Sequence, residues 1–210
     1  MTNALSPLGV VLAGGRSERM GGREKAMLSL ARQPMITHVV ERLGRQVERM
    51  VINANGDPAR FRGYGLPVIA DTIEGFAGPL AGLLAGMAYS LQAMGGADVV
   101  TVAADTPFIP DDLVARLAAA RREANVPLAL AASESGTHHT VGLFSIALMG
   151  DLAATLKAGH RKAGAWAAQH RPAIVMFDTI VAGGRHIDPF FNVNRPEDLA
   201  RAEEYAEALG

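Results

Sequence analysis

Short apolar runs alternate with helical spacings along most of the chain. Residues 9–13 form an apolar run that ends at Gly14-Gly15. From Pro34 onward, Met35, Ile36, Val39, Val40, Leu43, Val47 and Met50 recur three or four apart. The first pattern predicts a buried strand, the second one face of a helix with proline in its first turn. Residues 50–54 and 67–70 are short apolar segments suited to buried parallel strands. A second helix is predicted from Pro79, carried by Leu80, Leu83, Leu84, Met87, Leu91 and Met94 and stopped at Gly95-Gly96. Residues 98–104 predict a further strand running into Asp105-Thr106-Pro107. Pro110, Asp111 and Asp112 then open a third helix, which Arg121-Arg122 close at its negative end.

In the remainder, residues 127–132 and 140–146 predict strands around a polar loop at 133–139. Residues 147–156 and 163–169 predict helices, 173–177 and 190–193 strands, and 196–209 a last helix with Glu197 and Asp198 in its first turn. Strands alternating with helices predict an α/β fold: a three-layer, Rossmann-like, mainly parallel sheet with helices on both faces, in one domain over residues 1–210. Ligands of such sheets bind at the carboxyl ends of strands, near a switch in strand order. Polar residues just after strands are therefore candidates: residues 14–25 after the first, Asn53 and Asn55 at the second, Asp71 at the third and Asp105 at the fourth.

Composition narrows the function. The 210 residues are 49% hydrophobic and 20% charged, which fits a globular domain and not a disordered chain, collagen or a coiled coil. Only 5% are aromatic, whereas 37 Ala and 23 Gly suit close packing of small side chains between helices and sheet. A net charge of -1 supplies no positive field for nucleic acid. No apolar run approaches the roughly 18 residues that span a bilayer, so neither nucleic acid nor membrane is an expected partner. Residues 4–15 lack a preceding basic residue and end in Gly-Gly-Arg, so they read as the first strand and not as a secretion signal. The absence of Cys excludes disulfides, thiolate metal sites and Cys nucleophiles, and suits a reducing cytoplasm, the expected location.

The strongest chemical signal is LAGGRSERMGGREK, Leu12 to Lys25. Its glycines allow a tight turn and let main-chain N–H groups approach an anion, and Arg16, Arg19, Arg23 and Lys25 outnumber Glu18 and Glu24. A triphosphate suits such a loop; a glycine turn with solvated charges is the plainer reading. Lys25 precedes Ala26, which departs from the P-loop pattern, and no G-x-G-x-x-G follows the first strand. The stretch instead resembles the nucleotidyltransferase signature of the molybdenum cofactor guanylyltransferases, the MobA type. The resemblance continues, in the family's order, at Ile52-Asn53-Ala54-Asn55, Ile69-Ala70-Asp71, Gly78-Pro79-Leu80-Ala81-Gly82, Asp105-Thr106-Pro107 and Asn192-Val193-Asn194-Arg195-Pro196-Glu197-Asp198-Leu199.

That resemblance implies a fold like the nucleotide-diphospho-sugar transferases and transfer of GMP from GTP to the terminal phosphate of molybdopterin, with release of pyrophosphate. It implies that the Leu12, Ala13, Gly14 and Gly15 backbone meets the guanine nucleotide and that Lys25, helped by Arg19, holds its phosphates. Asn53 and Asp71 would bind nucleoside groups, and Asp105 would carry Mg²⁺. Expected partners are GTP, the pterin cofactor and proteins that supply or accept it.

Independently, a carboxylate where an apolar strand ends can hold a hard cation beside phosphate oxygens, although Asp before Thr-Pro is also ordinary turn chemistry. Asn192 and Asn194 lie two apart, so on an extended segment their amides share one face; the resemblance puts the pterin near them. Arg195 stands where the family usually has Thr, and it cannot cap the following helix as Thr does, a local loss on the order of 1 kcal/mol. His138 and His139 are adjacent and so face opposite ways on a strand, with no Cys or i, i+4 His partner, which argues against a metal site. A cytidylyltransferase of the same cofactor, a sugar-nucleotide enzyme and a non-catalytic cofactor-delivery protein on the same fold remain alternatives.

Overall fold

Strand β1 (Leu8–Leu12) opens the fold in a computed structural model that describes residues 6–14, 25–73 and 78–210. A 3₁₀ turn at Lys25–Met27 leads into a hairpin of β2 (Ser29–Leu30) and β3 (Gln33–Pro34), and then helix α1 (Met35–Gly44). The hairpin was not expected from the sequence. Its turn residues Ala31 and Arg32 both have positive φ, 48° and 68°, without the Asn or Gly that signals such a turn. Pro34 sits at the N-cap of α1, one position before the first turn.

Strands β4 (Arg49–Asn53) and β5 (Val68–Ile69) follow, then α2 (Pro79–Met94), ended by Gly95 in the left-handed conformation, β6 (Val99–Ala103) and α3 (Leu113–Ala124). Next come β7 (Leu128–Ser133), β8 (Gly136–Phe144), α4 (Met149–Lys157), α5 (Ala163–Gln169) and β9 (Ala173–Met176). A second hairpin, β10 (Ile180–Ala182) and β11 (Arg185–Ile187), precedes the last helix, α6 (Pro196–Leu209).

Three expectations are corrected. The helix after Pro34 stops at Gly44, so Val47 and Met50, expected on its face, lie beyond it, Met50 in β4. The supposed polar loop at 133–139 is mostly strand: β7 and β8 form a tight hairpin whose tip, residues 134–137, is exposed, so polar residues fit there. Residues 190–193 are not a strand. They cross the carboxyl edge of the sheet, joined to the fourth parallel strand's exit by one main-chain bond, Val193 N to Asp105 O at 3.0 Å.

The seven-stranded sheet has the order β5-β4-β1-β6-β8-β7-β9, and β8 alone runs against the others. From β1 the chain steps outward to β4 and β5, then returns to the far side of β1 at β6. That reversal is the switch point. Leu8, Val10 and Val11 of β1 are fully buried because helices cover both faces. Ile36, Val39 and Leu43 of α1 pack on one face with Leu113 and Leu117 of α3. Leu80, Leu84 and Met87 of α2 pack on the other with Leu152 and Leu156 of α4 and Trp166 of α5. Helix α6 closes a third cluster against Leu30, Met35 and Ile187.

Helix α2 approaches β1 closely through glycines one turn apart. A Cβ at Gly86 would lie 2.6 Å from Val10 Cγ2, and one at Gly82 2.6 Å from Leu12 Cδ2. Gly86→Ala should therefore overpack this layer by about 1–3 kcal/mol. Thermal denaturation should show Tm lowered by roughly 3–10 °C; an unchanged Tm would mean that the layer yields without cost.

Candidate active site

Because β1 pairs in register with β4 and β6, Leu12 lies between Asn53 and Ala103, and the residues after them emerge together. Leu12, Ala13, Lys25, Ala26, Ala104 and Asp105 line one shallow cleft at this edge. Lys25 comes from the 3₁₀ turn after the first strand and Asp105 from the exit of β6, 80 residues later, yet Lys25 Nζ lies 3.1 Å from Asp105 Oδ2. Each side chain is 19% exposed. Such a pair is shielded enough to matter and still open to ligand.

The segment over residues 188–194 completes the cleft. Asn192 Nδ2 donates to Asp105 Oδ1 at 2.9 Å, and Lys25 Nζ donates to Asn194 Oδ1. The two asparagines thus share one face, as their spacing predicts, while Val193 between them is buried. Asn192 Oδ1 is buried beside Asp105 and has no hydrogen-bond partner among the described residues. Among the described residues no three His, Asp or Glu side chains gather as a preformed metal cage. One carboxylate with neighbouring amide oxygens nevertheless fits Mg²⁺, which typically takes one or two carboxylates and completes its shell with water and phosphate oxygens.

A second polar group lies on the other side of β1. Asn53, 4% exposed, donates through Nδ2 to Asp71 Oδ1 at 3.0 Å. Asn55 grips the same aspartate twice: Nδ2 donates to Asp71 Oδ2 at 2.8 Å, and Oδ1 accepts from Asp71 N at 2.9 Å. Gly82 makes room for this group, since a Cβ there would fall 2.3 Å from Asn53 Oδ1. Asn55 is one of the expected strand-exit candidates; Gly82, quoted only within the Gly78–Gly82 stretch, shows its part once the helix is placed.

Of the other expected site residues, Leu12 and Ala13 line the cleft, with Ala13 N held on Asn53 O at 2.8 Å, and Gly14 follows them, exposed. Gly15 and Arg19 lie outside the described residues. Arg195 provides no acceptor for the helix, and the opposite half of the cap compensates: Asp198 Oδ2 accepts from the N–H groups of both Asn194 and Arg195 at 3.0 Å.

The matching family model is described as "MobA-like NTP transferase domain" and covers residues 9–173. The chain belongs to that family. A curated relative from Bradyrhizobium sp. (strain ORS 278), named molybdenum cofactor guanylyltransferase, is 46% identical over 94% of this chain and 92% of its own length. One of the same name from Cereibacter sphaeroides is 47% identical, over 93% of this chain and 94% of its own. Among solved structures, molybdopterin-guanine dinucleotide biosynthesis protein A from Archaeoglobus fulgidus aligns with a TM-score of 0.72 at 22% identity. It covers 95% of this chain and 98% of that one, a likeness of fold.

In this MobA-like chain the two histidines part company as expected. His139 lies against Gly164, where a Cβ would fall 2.6 Å from its Nε2. His138 turns toward Ser133, with Nε2 to Oγ at 2.8 Å. Burial holds its imidazole below the ordinary value of 6.5; the Asp188 carboxylate opposes this and His139 adds to it. The unfolded chain thus takes up this proton first as pH falls, so the stability contribution is present above about pH 6.5 and is lost as pH falls through the folded value. Tm measured from pH 7.5 down to 5 should fall more steeply in the wild type than in His138→Gln; parallel profiles would refute the assignment.

Proposed function

We propose that the cleft of this MobA-like enzyme transfers GMP from GTP to the terminal phosphate of molybdopterin, forming molybdopterin guanine dinucleotide and pyrophosphate. The observation that carries this reading is the meeting of Lys25 and Asp105 from separate strand exits in one cleft, in a chain 46–47% identical to guanylyltransferases of that cofactor. The Asn53–Asn55–Asp71 group lies on the nucleoside side, and its amides and carboxylate suit the polar edges of a ribose or guanine. Asn192 and Asn194 lie on the acceptor side.

The Lys25–Asp105 ion pair suggests how substrate enters at balanced charge. Lys25 would exchange the carboxylate for phosphate oxygens, and Asp105, still held at Oδ1 by Asn192, would be the residue to hold a magnesium ion. Magnesium held there supplies charge neutralisation at the phosphates. An oxygen of the pterin's terminal phosphate forms a bond to the α-phosphorus of GTP as the bond to the β-phosphate's bridging oxygen breaks, and that oxygen leaves with pyrophosphate. The attacking phosphate is already ionised, so the reaction needs positioning and countercharge more than a general base. Lys25 is placed to steady the leaving pyrophosphate, joined in this reading by Arg19 and the Gly14-Gly15 backbone.

No helix among the described residues is long and apolar enough to cross a membrane; we place the reaction in the cytoplasm, where the labile pterin passes between proteins that supply and accept it. Purified protein mixed with GTP, Mg²⁺ and molybdopterin should release pyrophosphate, with CTP a much poorer donor. Equal use of CTP would overturn the guanine assignment, and binding without release would make the protein a carrier. Lys25→Ala and Asp105→Ala should each lower turnover by about 10²–10³-fold. Wild-type rates in either variant would remove that residue from the mechanism.

A further inference from the structure

Four polar side chains outside the cleft meet at the outer end of the β7–β8 hairpin. Ser133, 5% exposed, donates from Oγ to Asp188 Oδ2 at 2.9 Å and contacts His138 Nε2 at 2.8 Å and Ser135 Oγ at 3.0 Å. A hydroxyl has one proton, and a carboxylate can only accept. With that proton on Asp188, His138 Nε2 must be the donor to Ser133. The order is therefore imidazole N–H to hydroxyl to carboxylate. This is not a nucleophilic triad, because the aspartate holds the serine and not the far ring nitrogen.

Asp188 begins the segment that crosses to the cleft. Its Oδ1 accepts from Phe190 N at 2.8 Å and its main-chain oxygen from Phe191 N at 3.0 Å, which sets the turn. Phe190 then enters the core beside Phe177 and the His138 ring, with centroids 5.3 and 4.7 Å away, while Phe191 packs on Tyr205 of α6 at 5.3 Å. Apolar packing fixes where the segment lies but tolerates small rotations and shifts. Directional bonds remove that freedom, and here they act four residues before Asn192. Holding a cation-binding carboxylate and its partners within about 0.5 Å of productive geometry demands such support.

We propose that Ser133, His138 and Asp188 are positioning residues for this reaction: their relay fixes the rotation of residues 188–194 and so places Asn192 on Asp105 and Asn194 on Lys25. The inference rests on the GMP-transfer reading for its kinetic consequence, though not for its geometry. It also separates two halves of the site. The Asn53–Asn55–Asp71 group shares no bond with this segment, so the nucleoside end should be indifferent to the relay.

The test compares Asp188→Ala, Ser133→Ala and Asp188→Asn in steady-state synthesis of the dinucleotide, with the Asn192 side-chain amide resonance, assigned through Asn192→Asp, as a second readout. Asp188→Ala should lower kcat about tenfold, leave the KM for GTP within about twofold, and move the Asn192 resonance. Ser133→Ala should do the same more weakly, and carries the test if Asp188→Ala fails to fold. Asp188→Asn should recover kcat to within about threefold of wild type: its carbonyl still accepts from Phe190 N, its amide donates to Ser133, and Ser133 turns its proton to His138. A wild-type kcat in the alanine variants, an unmoved Asn192 resonance, a parallel loss of GTP affinity, or failure of asparagine to rescue would each overturn the proposal. An inactive wild type would fail the functional reading instead, and the resonance would still decide the geometry.

Discussion

The parallel pairing of β1 with β4 on one side and β6 on the other is the constraint from which the site follows. It puts Leu12, Asn53 and Ala103 level at one edge. Whatever polar residues follow those positions emerge into a shared space, however far apart they are in sequence. The register can hold because β1 is apolar on both faces and each face is covered. Slipping it by one residue would exchange Val10 and Val11 between layers that differ sharply: α2 presses glycines against one, while α1 and α3 present branched side chains to the other.

At that edge the protein keeps its charges in balance. Lys25 and Asp105 neutralise each other while an amide attends each of them, and Asp71 is engaged by two asparagines. A lone ammonium or carboxylate this shielded would be costly, whereas a pair can be opened by ligands that replace each partner in kind. Phosphate with a divalent cation is such a ligand. The same logic accounts for the scarcity of preformed metal ligands: the carboxylate is one contributor, and substrate is expected to bring other oxygens.

Much of this was legible in the sequence, for identifiable reasons. Elements with strong punctuation were placed well: α2 runs from Pro79 to Met94 and stops at Gly95, and α5 and α6 match their expected spans. The spacing of Asn192 and Asn194 foretold their shared face, and strand exits pointed to Asn53, Asp71 and Asp105. Residues 190–193 read as a strand because Phe190, Phe191 and Val193 are apolar, but they serve separate clusters and form no ladder. Neither short hairpin was expected: β10–β11 carries a Gly183-Gly184 turn, with φ of 53° and 74°, whereas the β2–β3 turn at Ala31-Arg32 has no such mark. Ser133 and Asp188 lie 55 positions apart, and nothing in either neighbourhood links them.

The clamp that Asp198 places on the N–H groups of Asn194 and Arg195 joins the cleft to the last helix. During synthesis Asp105 leaves the ribosome almost ninety residues ahead of the asparagines that flank it. Lys25 and Asp105 are both synthesised well before the asparagines that flank them. Of the groups that meet in the cleft these amides are the last to be synthesised, so the pairing of Asp105 with Asn192 and of Lys25 with Asn194 is a late contact of the chain, made beside the start of α6.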